Sequence, residues 1–173
     1  MRTNVSIAPC AEADAPAICE IINQSASAYK GVIPEDGWHE PYMPMAELLG
    51  EITRGVRFFG YRLENELLAV MGMEDVKDAT LIRHAYVRPD CRRVGLGRAL
   101  LAALCTLTDR PVLIGTWRAA TWAIRFYEKN GFTLVEEAER KQLLDKYWTV
   151  PERQKAVSVV LTEATPRPAF QSR

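Results

Sequence analysis

The feature that most constrains the fold is a change of rhythm halfway along the chain. Three strand candidates, Val56 to Arg62, Leu67 to Val76 and Thr80 to Arg88, are separated only by Glu64-Asn65-Glu66 and Lys77-Asp78-Ala79. Turns that short join strands by hairpins. Beyond Arg88 the pattern alternates, with a helix from about Gly95 to Thr108, a strand Val112 to Thr116, a helix Ala119 to Asn130 and a strand Phe132 to Val135. That alternation is βαβαβ logic.

The flanks complete the pattern. Val5 and Ile7 before Pro9 suggest a short first strand, and Ala11 to Tyr29 carries Ile18, Ile21 and Ile22 at helical spacing, with Asp14 before Ala15-Pro16 as an expected N-cap. From Gly31 to Pro44, three prolines, two glycines, Trp38, His39 and Tyr42 crowd a stretch unsuited to helix or strand, which reads as a functional or mobile loop. A short helix over Ala46 to Thr53 stops before Gly55. Glu136 to Tyr147 suits a charged helix before Pro151, and Ala156 to Thr162 a last strand rich in β-formers. No internal repeat or Gly/Ser-rich linker divides the chain, so residues 1–164 are expected to form one domain and 165–173 a flexible tail.

Composition narrows the function classes. With 22 basic and 22 acidic side chains the charges cancel, so no global field concentrates the chain on nucleic acid or an anionic membrane, and any anion must be caught locally. Cys10, Cys19, Cys91 and Cys105 stand at scattered spacings with only His39 and His84 to join them, so no metal site is expected. The first residues lack a signal-like apolar run, and nowhere do 18 apolar residues follow one another. A cytoplasmic location with reduced thiols is the reading that follows.

The most informative segment is Val87-Arg88-Pro89-Asp90-Cys91-Arg92-Arg93-Val94-Gly95-Leu96-Gly97-Arg98, a strand end, a basic glycine loop and a helix start. Gly95 and Gly97 let a ligand approach the backbone, the first-turn N–H groups lack intrahelical partners, and the helix dipole adds partial positive charge. Arg92, Arg93 and Arg98 complete a phosphate-binding chemistry. The competing reading is a solvated basic loop before an ordinary core helix. A Walker A loop is excluded for want of Gly-Lys-Ser/Thr, and a dinucleotide fingerprint fits poorly because Pro89 to Val94 separates the strand from the glycines.

Arg92-x-x-Gly95-x-Gly97 after Tyr86-Val87-x-Pro89 resembles the acetyl-CoA signature of the GNAT superfamily, and Phe126-Tyr127-Glu128-Lys129-Asn130-Gly131-Phe132 resembles its second signature, in the right order. The resemblance extends over the element order from Val5 to Leu161. It implies an α/β fold of α+β type, a central mixed twisted sheet splayed between its fourth and fifth strands with helices on both faces, pantetheine filling the gap. Acetyl-CoA is then the co-substrate. Backbone groups near Ala85 and Val87 would pair with the pantetheine amides, while Arg92, Arg93, Val94, Gly95, Leu96, Gly97 and Arg98 would wrap the pyrophosphate. One departure stands out: Ala120 occupies a position where many relatives keep an asparagine that contacts CoA, with Thr121 or Thr116 as weak substitutes.

Acetyl transfer needs a neutral amine, an oxyanion stabiliser and a proton for the departing thiolate. By family position Tyr127 is the general acid, its alternative being a packed aromatic. The oxyanion would fall to backbone N–H groups around Val87. His84 is the candidate base, Glu74 the second, and water a third. Cys91, beside Arg92 and Arg93, is expected to have a lowered pKa, though without a positioned base its use as a nucleophile carries little weight. Cys10, Cys19 and Cys105 read as small apolar core residues.

Acceptor recognition would fall to Trp38 and Tyr42, with His39 and Glu40 on the same loop and Lys146, Tyr147 and Trp148 near a second wall, loop packing being the alternative. The favoured acceptor is a small-molecule or amino-acid-like primary amine. A protein N-acetyltransferase acting on lysine or an N-terminus, or a CoA-binding regulatory module without turnover, stay open. Homodimers are common in the family, although no interface motif marks one here.

Overall fold

In the computed structural model, residues 4–165 are described. They form seven strands and six helices: β1 (Val5–Pro9), α1 (Ala15–Ala26), α2 (Met45–Arg54), β2 (Arg57–Leu63), β3 (Glu66–Val76), β4 (Ala79–Val87), α3 (Leu96–Cys105), β5 (Val112–Trp117), α4 (Thr121–Glu128), β6 (Phe132–Leu134), α5 (Glu137–Tyr147), α6 (Glu152–Ala156) and β7 (Ser158–Glu163). The strand order is β1-β2-β3-β4-β5-β7-β6. The described residues divide into two compact units, one of 4–74 with Ile82–Thr106, the other of Asp75–Leu81 with 107–165. The tail expected over 165–173 lies, apart from Thr165, outside the described residues.

The first unit is built on hairpins. Leu63 and Glu66 face each other across a two-residue turn whose central residues, Glu64 and Asn65, both take positive φ, the backbone hand that matches strand twist. β1 pairs antiparallel with the outer side of β2, Val5 opposite Leu63 and Pro9 opposite Phe59. Ile18, Ile21 and Ile22 of α1 and Leu48 of α2 turn their stripe inward onto Phe58 and Val70, and Tyr42 and Tyr86 pack at the edge of this core. α2 stops where Gly55, at φ 119, closes the helix by donating its N–H back to Ile52. Asp14 holds the N-cap position of α1 as expected, but its side chain makes no cap hydrogen bond to the helix. Its side chain reaches back to the Ala11 N–H (2.7 Å) and forward to Arg62 (2.6 Å), because a short 3-10 turn over Glu12–Asp14 precedes the helix.

In the second unit the strands are antiparallel. β7, last in sequence, pairs with β5 on one side, Thr116 opposite Val159, and with β6 on the other, Thr133 opposite Thr162. The βαβαβ expectation holds for β4-α3-β5, whose strands are neighbours in the sheet, and is corrected only in its second half: β5 and β6 run the same way but are held apart by β7. Helical spacing between two strands does not say which strand becomes the neighbour. The expected strand from Ala156 is corrected too, since Glu152–Ala156 coils into α6 and pairing begins at Ser158. Ala79, Leu81, Leu113 and Tyr147 form this unit's core with Leu143 and Trp148 against it. Its hairpin is pinned by Thr80, whose N–H donates to the Pro111 carbonyl (2.9 Å) and whose hydroxyl bonds Asp75 (2.7 Å) and Thr108 (2.8 Å).

Candidate active site

In the first unit β4 runs into a loop that turns twice before α3. A 3-10 turn over Pro89–Cys91 is followed by Arg92 in extended conformation, Arg93 at φ 67 and Gly95 at φ 88. Gly95 is the residue to which this matters most: its ψ of 6 makes it a left-handed N-cap, and a Cβ added there would meet nothing within 4 Å. No side-chain oxygen caps α3, and the helix ladder begins with the Ala99 N–H donating to Gly95 O (3.0 Å). The N–H groups of Leu96, Gly97 and Arg98 thus have no intrahelical acceptor among the described residues. Leu96 is buried and anchors the first turn, whereas Arg92, Arg93, Val94 and Arg98 are exposed. The expected residues Arg92 to Arg98 are all brought into one basic turn around uncapped donors, an arrangement suited to a diphosphate.

The loop is held from α1 by a residue that sequence reasoning missed. Ser25, buried near the end of that helix, donates its hydroxyl to Val87 O (2.7 Å), and its own carbonyl accepts from the Arg92 guanidinium (3.2 Å). One serine therefore ties both ends of the turn to the C-terminal end of α1, where the helix dipole favours a cation. Val87, expected to offer backbone groups to a ligand, already lends one carbonyl lone pair to Ser25. Ala85 and Val87 are half-buried on β4. Arg88 is not part of the free cationic surface, since Asp90 and Glu66 both hold it.

Cys91 corrects an expectation. Its pKa is raised, by desolvation first and then by the Asp90 carboxylate, because Arg88 pairs with Asp90 and leaves little positive field for the thiol. Cys10, half-buried, is pushed up to about 11 by burial and by Asp14. Cys19 is buried as expected, while Cys105 is only partly so; none of the four is in a disulfide.

Halfway along β4, His84 takes φ 50, a left-handed value that non-glycine residues adopt rarely inside a strand. Its ring stacks on Phe58, centroids 5.8 Å apart at 26°, and its Nε2 meets the carboxylate of Glu51. Glu51 lies on α2 three residues after the fully buried Leu48 and is itself 6% exposed. Burial works against its charge, yet its pKa is lowered because the His84 hydrogen bond and the charges of His84, Arg83 and Arg54 outweigh that cost. Glu74, the second base candidate, is bound by Arg83 at 2.8 Å, and Arg83 also reaches Glu51 at 3.5 Å. Both base candidates thus belong to one network with a second carboxylate, Glu51. Its signal in the sequence was a carboxylate at the apolar spacing of α2.

The loop expected over Gly31 to Pro44 holds only a 3-10 turn at Glu35–Gly37. Trp38 stacks on Tyr42 (5.5 Å, 25°), His39 stacks on the same ring (6.1 Å), and Tyr29 packs against it at 5.6 Å. The far end of the loop is clasped to α1, because the Asn23 side chain donates to Met43 O (2.9 Å) and accepts from Met43 N–H (2.7 Å). Trp38 and Tyr42 are therefore brought together, half-buried, on a fixed backbone.

In the second unit Tyr127 sits in the last turn of α4, 6% exposed, with Phe126 and Phe132 edge-on at 5.0 and 6.2 Å. Ala120, in place of an asparagine, is the fully buried residue before α4 and supplies no side-chain cap. Of the expected second wall, Tyr147 is buried with its hydroxyl donating to Asp78 (2.7 Å), Lys146 pairs with the same carboxylate (3.0 Å), and Trp148 lies against Gly115. The Tyr147 hydrogen bond, then Lys146, lowers the Asp78 pKa to about 2.

Residues 54–134, which include β2 to β6, match the family model of the acetyltransferase (GNAT) domain. Curated protein sequences give no significant match. Among solved structures, the PaiA N-acetyltransferase of Thermoplasma acidophilum, in complex with coenzyme A, superposes with a TM-score of 0.70 at 17% identity over 92% of this chain and 98% of that one. The ribosomal-protein-S18-alanine N-acetyltransferase of Escherichia coli gives 0.67 at 16% identity over 98% and 100% of the two chains. The N-acetylglutamate synthase of Neisseria gonorrhoeae, complexed with coenzyme A and N-acetyl-glutamate, gives 0.64 at 18% over 94% of this chain and 35% of that one. The signature turn lies inside the matched segment, so residues 54–134 match a GNAT acetyltransferase domain and the chain shares its fold with these enzymes.

Proposed function

We propose that the protein transfers the acetyl group of acetyl-CoA to a primary amine by direct attack on the thioester, with a small-molecule or amino-acid-like acceptor. The observation that carries this reading is the basic turn at α3, where three uncapped N–H groups, a left-handed Gly95 and exposed Arg92, Arg93 and Arg98 meet. A diphosphate fits that donor set, and two of the solved neighbours are complexes with coenzyme A. Acetyl-CoA supplies the activated acyl group. Arg92 through Arg98 bind and orient its diphosphate, and backbone groups of Ala85 and Val87 hold the chain that leads to the thioester. Tyr127 gives or shares a proton with the departing sulfur, and His84 takes the proton of the incoming ammonium. Trp38 and Tyr42 contact the acceptor.

A second reading, transfer to a protein N-terminus or lysine, is favoured by the E. coli neighbour, which acts on a ribosomal-protein alanine and is matched over both chains almost completely. We further propose that residues 1–164 act as one catalytic domain, in the cytoplasm, as a monomer or homodimer. Among the described residues no helix is long and apolar enough to cross a membrane. The deciding experiment measures free-thiol release from acetyl-CoA against a panel of amino acids, polyamines and N-terminal peptides. Thiol release with one acceptor class, together with a rise in melting temperature on adding acetyl-CoA, is the expected result. Thermal stabilisation without turnover on any acceptor would leave a CoA-binding regulatory module instead.

A further inference from the structure

We propose that Glu51 is a positioning residue that sets His84 as the base for the acceptor amine, a role that rests on the acetyltransfer reading above. The geometry is specific about the tautomer. The Glu51 carboxylate accepts a hydrogen bond from His84 Nε2–H, so in the neutral imidazole the lone pair is at Nδ1. The stacked Phe58 face fixes the ring plane, while 15% of the side chain stays accessible, enough for a proton to reach it. The positive φ of His84 is a second, independent sign, since strain of that kind inside a strand persists where the surroundings hold the side chain in one place.

The charges around the pair come from every element packed on it. α2 supplies Glu51 and Arg54, β4 supplies Arg83, β3 supplies Glu74, and β2 supplies the Phe58 ring. The His84 hydrogen bond, helped by Arg83, which is shared between Glu74 and Glu51, and by Arg54, keeps Glu51 ionised although it is buried. An ionised Glu51 stabilises the imidazolium formed when His84 takes a proton, as a second carboxylate behind an imidazole generally does. The acceptor ammonium gives its first proton to Nδ1 and attacks as the free amine. As the C–N bond forms and the C–S bond breaks, the nitrogen loses a second proton and the departing thiolate ends protonated. The imidazolium then releases its proton to solvent, so one proton leaves per turnover.

The test compares wild type with Glu51→Gln and Glu51→Asp, each first shown to be folded by circular dichroism and by an unchanged acetyl-CoA affinity. Glu51→Gln is expected to lower kcat on the order of tenfold or more, leave the acetyl-CoA KM unchanged, and move the acid limb of the kcat/KM profile to lower pH; Glu51→Asp should recover part of both. With only two histidines in the chain, nitrogen-15 NMR with His39→Asn for assignment reads the His84 tautomer without turnover, and Nε2–H is expected in wild type. An unchanged kcat and pH profile in Glu51→Gln, or a proton on Nδ1, overturns the proposal while leaving acetyl transfer intact. Failure of wild type to acetylate any amine overturns the underlying reading, and the tautomer measurement still decides whether Glu51 sets the ring.

Discussion

Replacing Gly95 by alanine isolates what the turn before α3 contributes. At φ 88 and ψ 6 an L-residue meets its own backbone, and the left-handed conformation costs about 1–2 kcal/mol. Space is not the issue, because a Cβ there meets nothing within 4 Å. Alanine also narrows the unfolded ensemble, which offsets about 0.4–1 kcal/mol, so a net loss near 1 kcal/mol is expected. For a chain of this length that lowers the melting temperature by about 2–4 °C. If instead the free loop relaxes out of the strained geometry and binding must restore it, the 1–2 kcal/mol falls on affinity in place of stability, about five- to thirtyfold for acetyl-CoA. Gly95→Asn should lose less on both counts, since asparagine tolerates the left-handed region. Thermal melts and calorimetric titration with acetyl-CoA measure the two. An alanine variant as stable as wild type and with unaltered affinity would refute both the conformation and its use.

Tyr127→Phe deletes a hydroxyl and keeps the ring between Phe126 and Phe132, so acetyl-CoA affinity should stay near wild type while turnover falls on the order of 100-fold; steady-state kinetics with a good acceptor check this. Trp38→Ala removes the ring stacked on Tyr42 and should raise the acceptor KM roughly tenfold, with the acetyl-CoA KM almost unchanged; equal losses in both would mean general destabilisation. Asp78 has a folded pKa held at about 2 against an ordinary 3.8, so its contribution is present above the higher value and is lost as pH falls toward the lower one. Urea titrations between those pH values should therefore show a steeper loss of stability in wild type than in Asp78→Asn.

How much of this was readable beforehand differs from one residue to the next. The hairpin turns at Glu64-Asn65 and Lys77-Asp78 were legible because turn chemistry is local, and the basic turn from Arg92 to Arg98 because its residue types and its place before a helix state their use together. Ser25 was not legible. Nothing in a serine near a helix end says that its hydroxyl will meet Val87, 62 residues away. Glu51 left a faint trace, a carboxylate on the apolar stripe of α2, but its partner His84 is fixed only by the pairing of strands. The β7 position was missed for a related reason: periodicity gives an element and its exposed face, while neighbours in a sheet are chosen by the tertiary fold. The lowered thiol pKa expected at Cys91 failed because Arg88, adjacent in space, is spent on Asp90 and Glu66.

The place of β7 between β5 and β6 carries a consequence for how the chain is made. A strand of three residues, β6, and one whole side of β5 find their hydrogen-bond partners only in Ser158–Glu163. On the ribosome, residues through Thr106 leave the exit tunnel long before these last ones, so the hairpin layer can close early while β5 waits with an open edge. Such an edge is the part of a nascent sheet most prone to pair with another chain. A stop codon before Ser158 would therefore yield an aggregating fragment rather than a shortened enzyme.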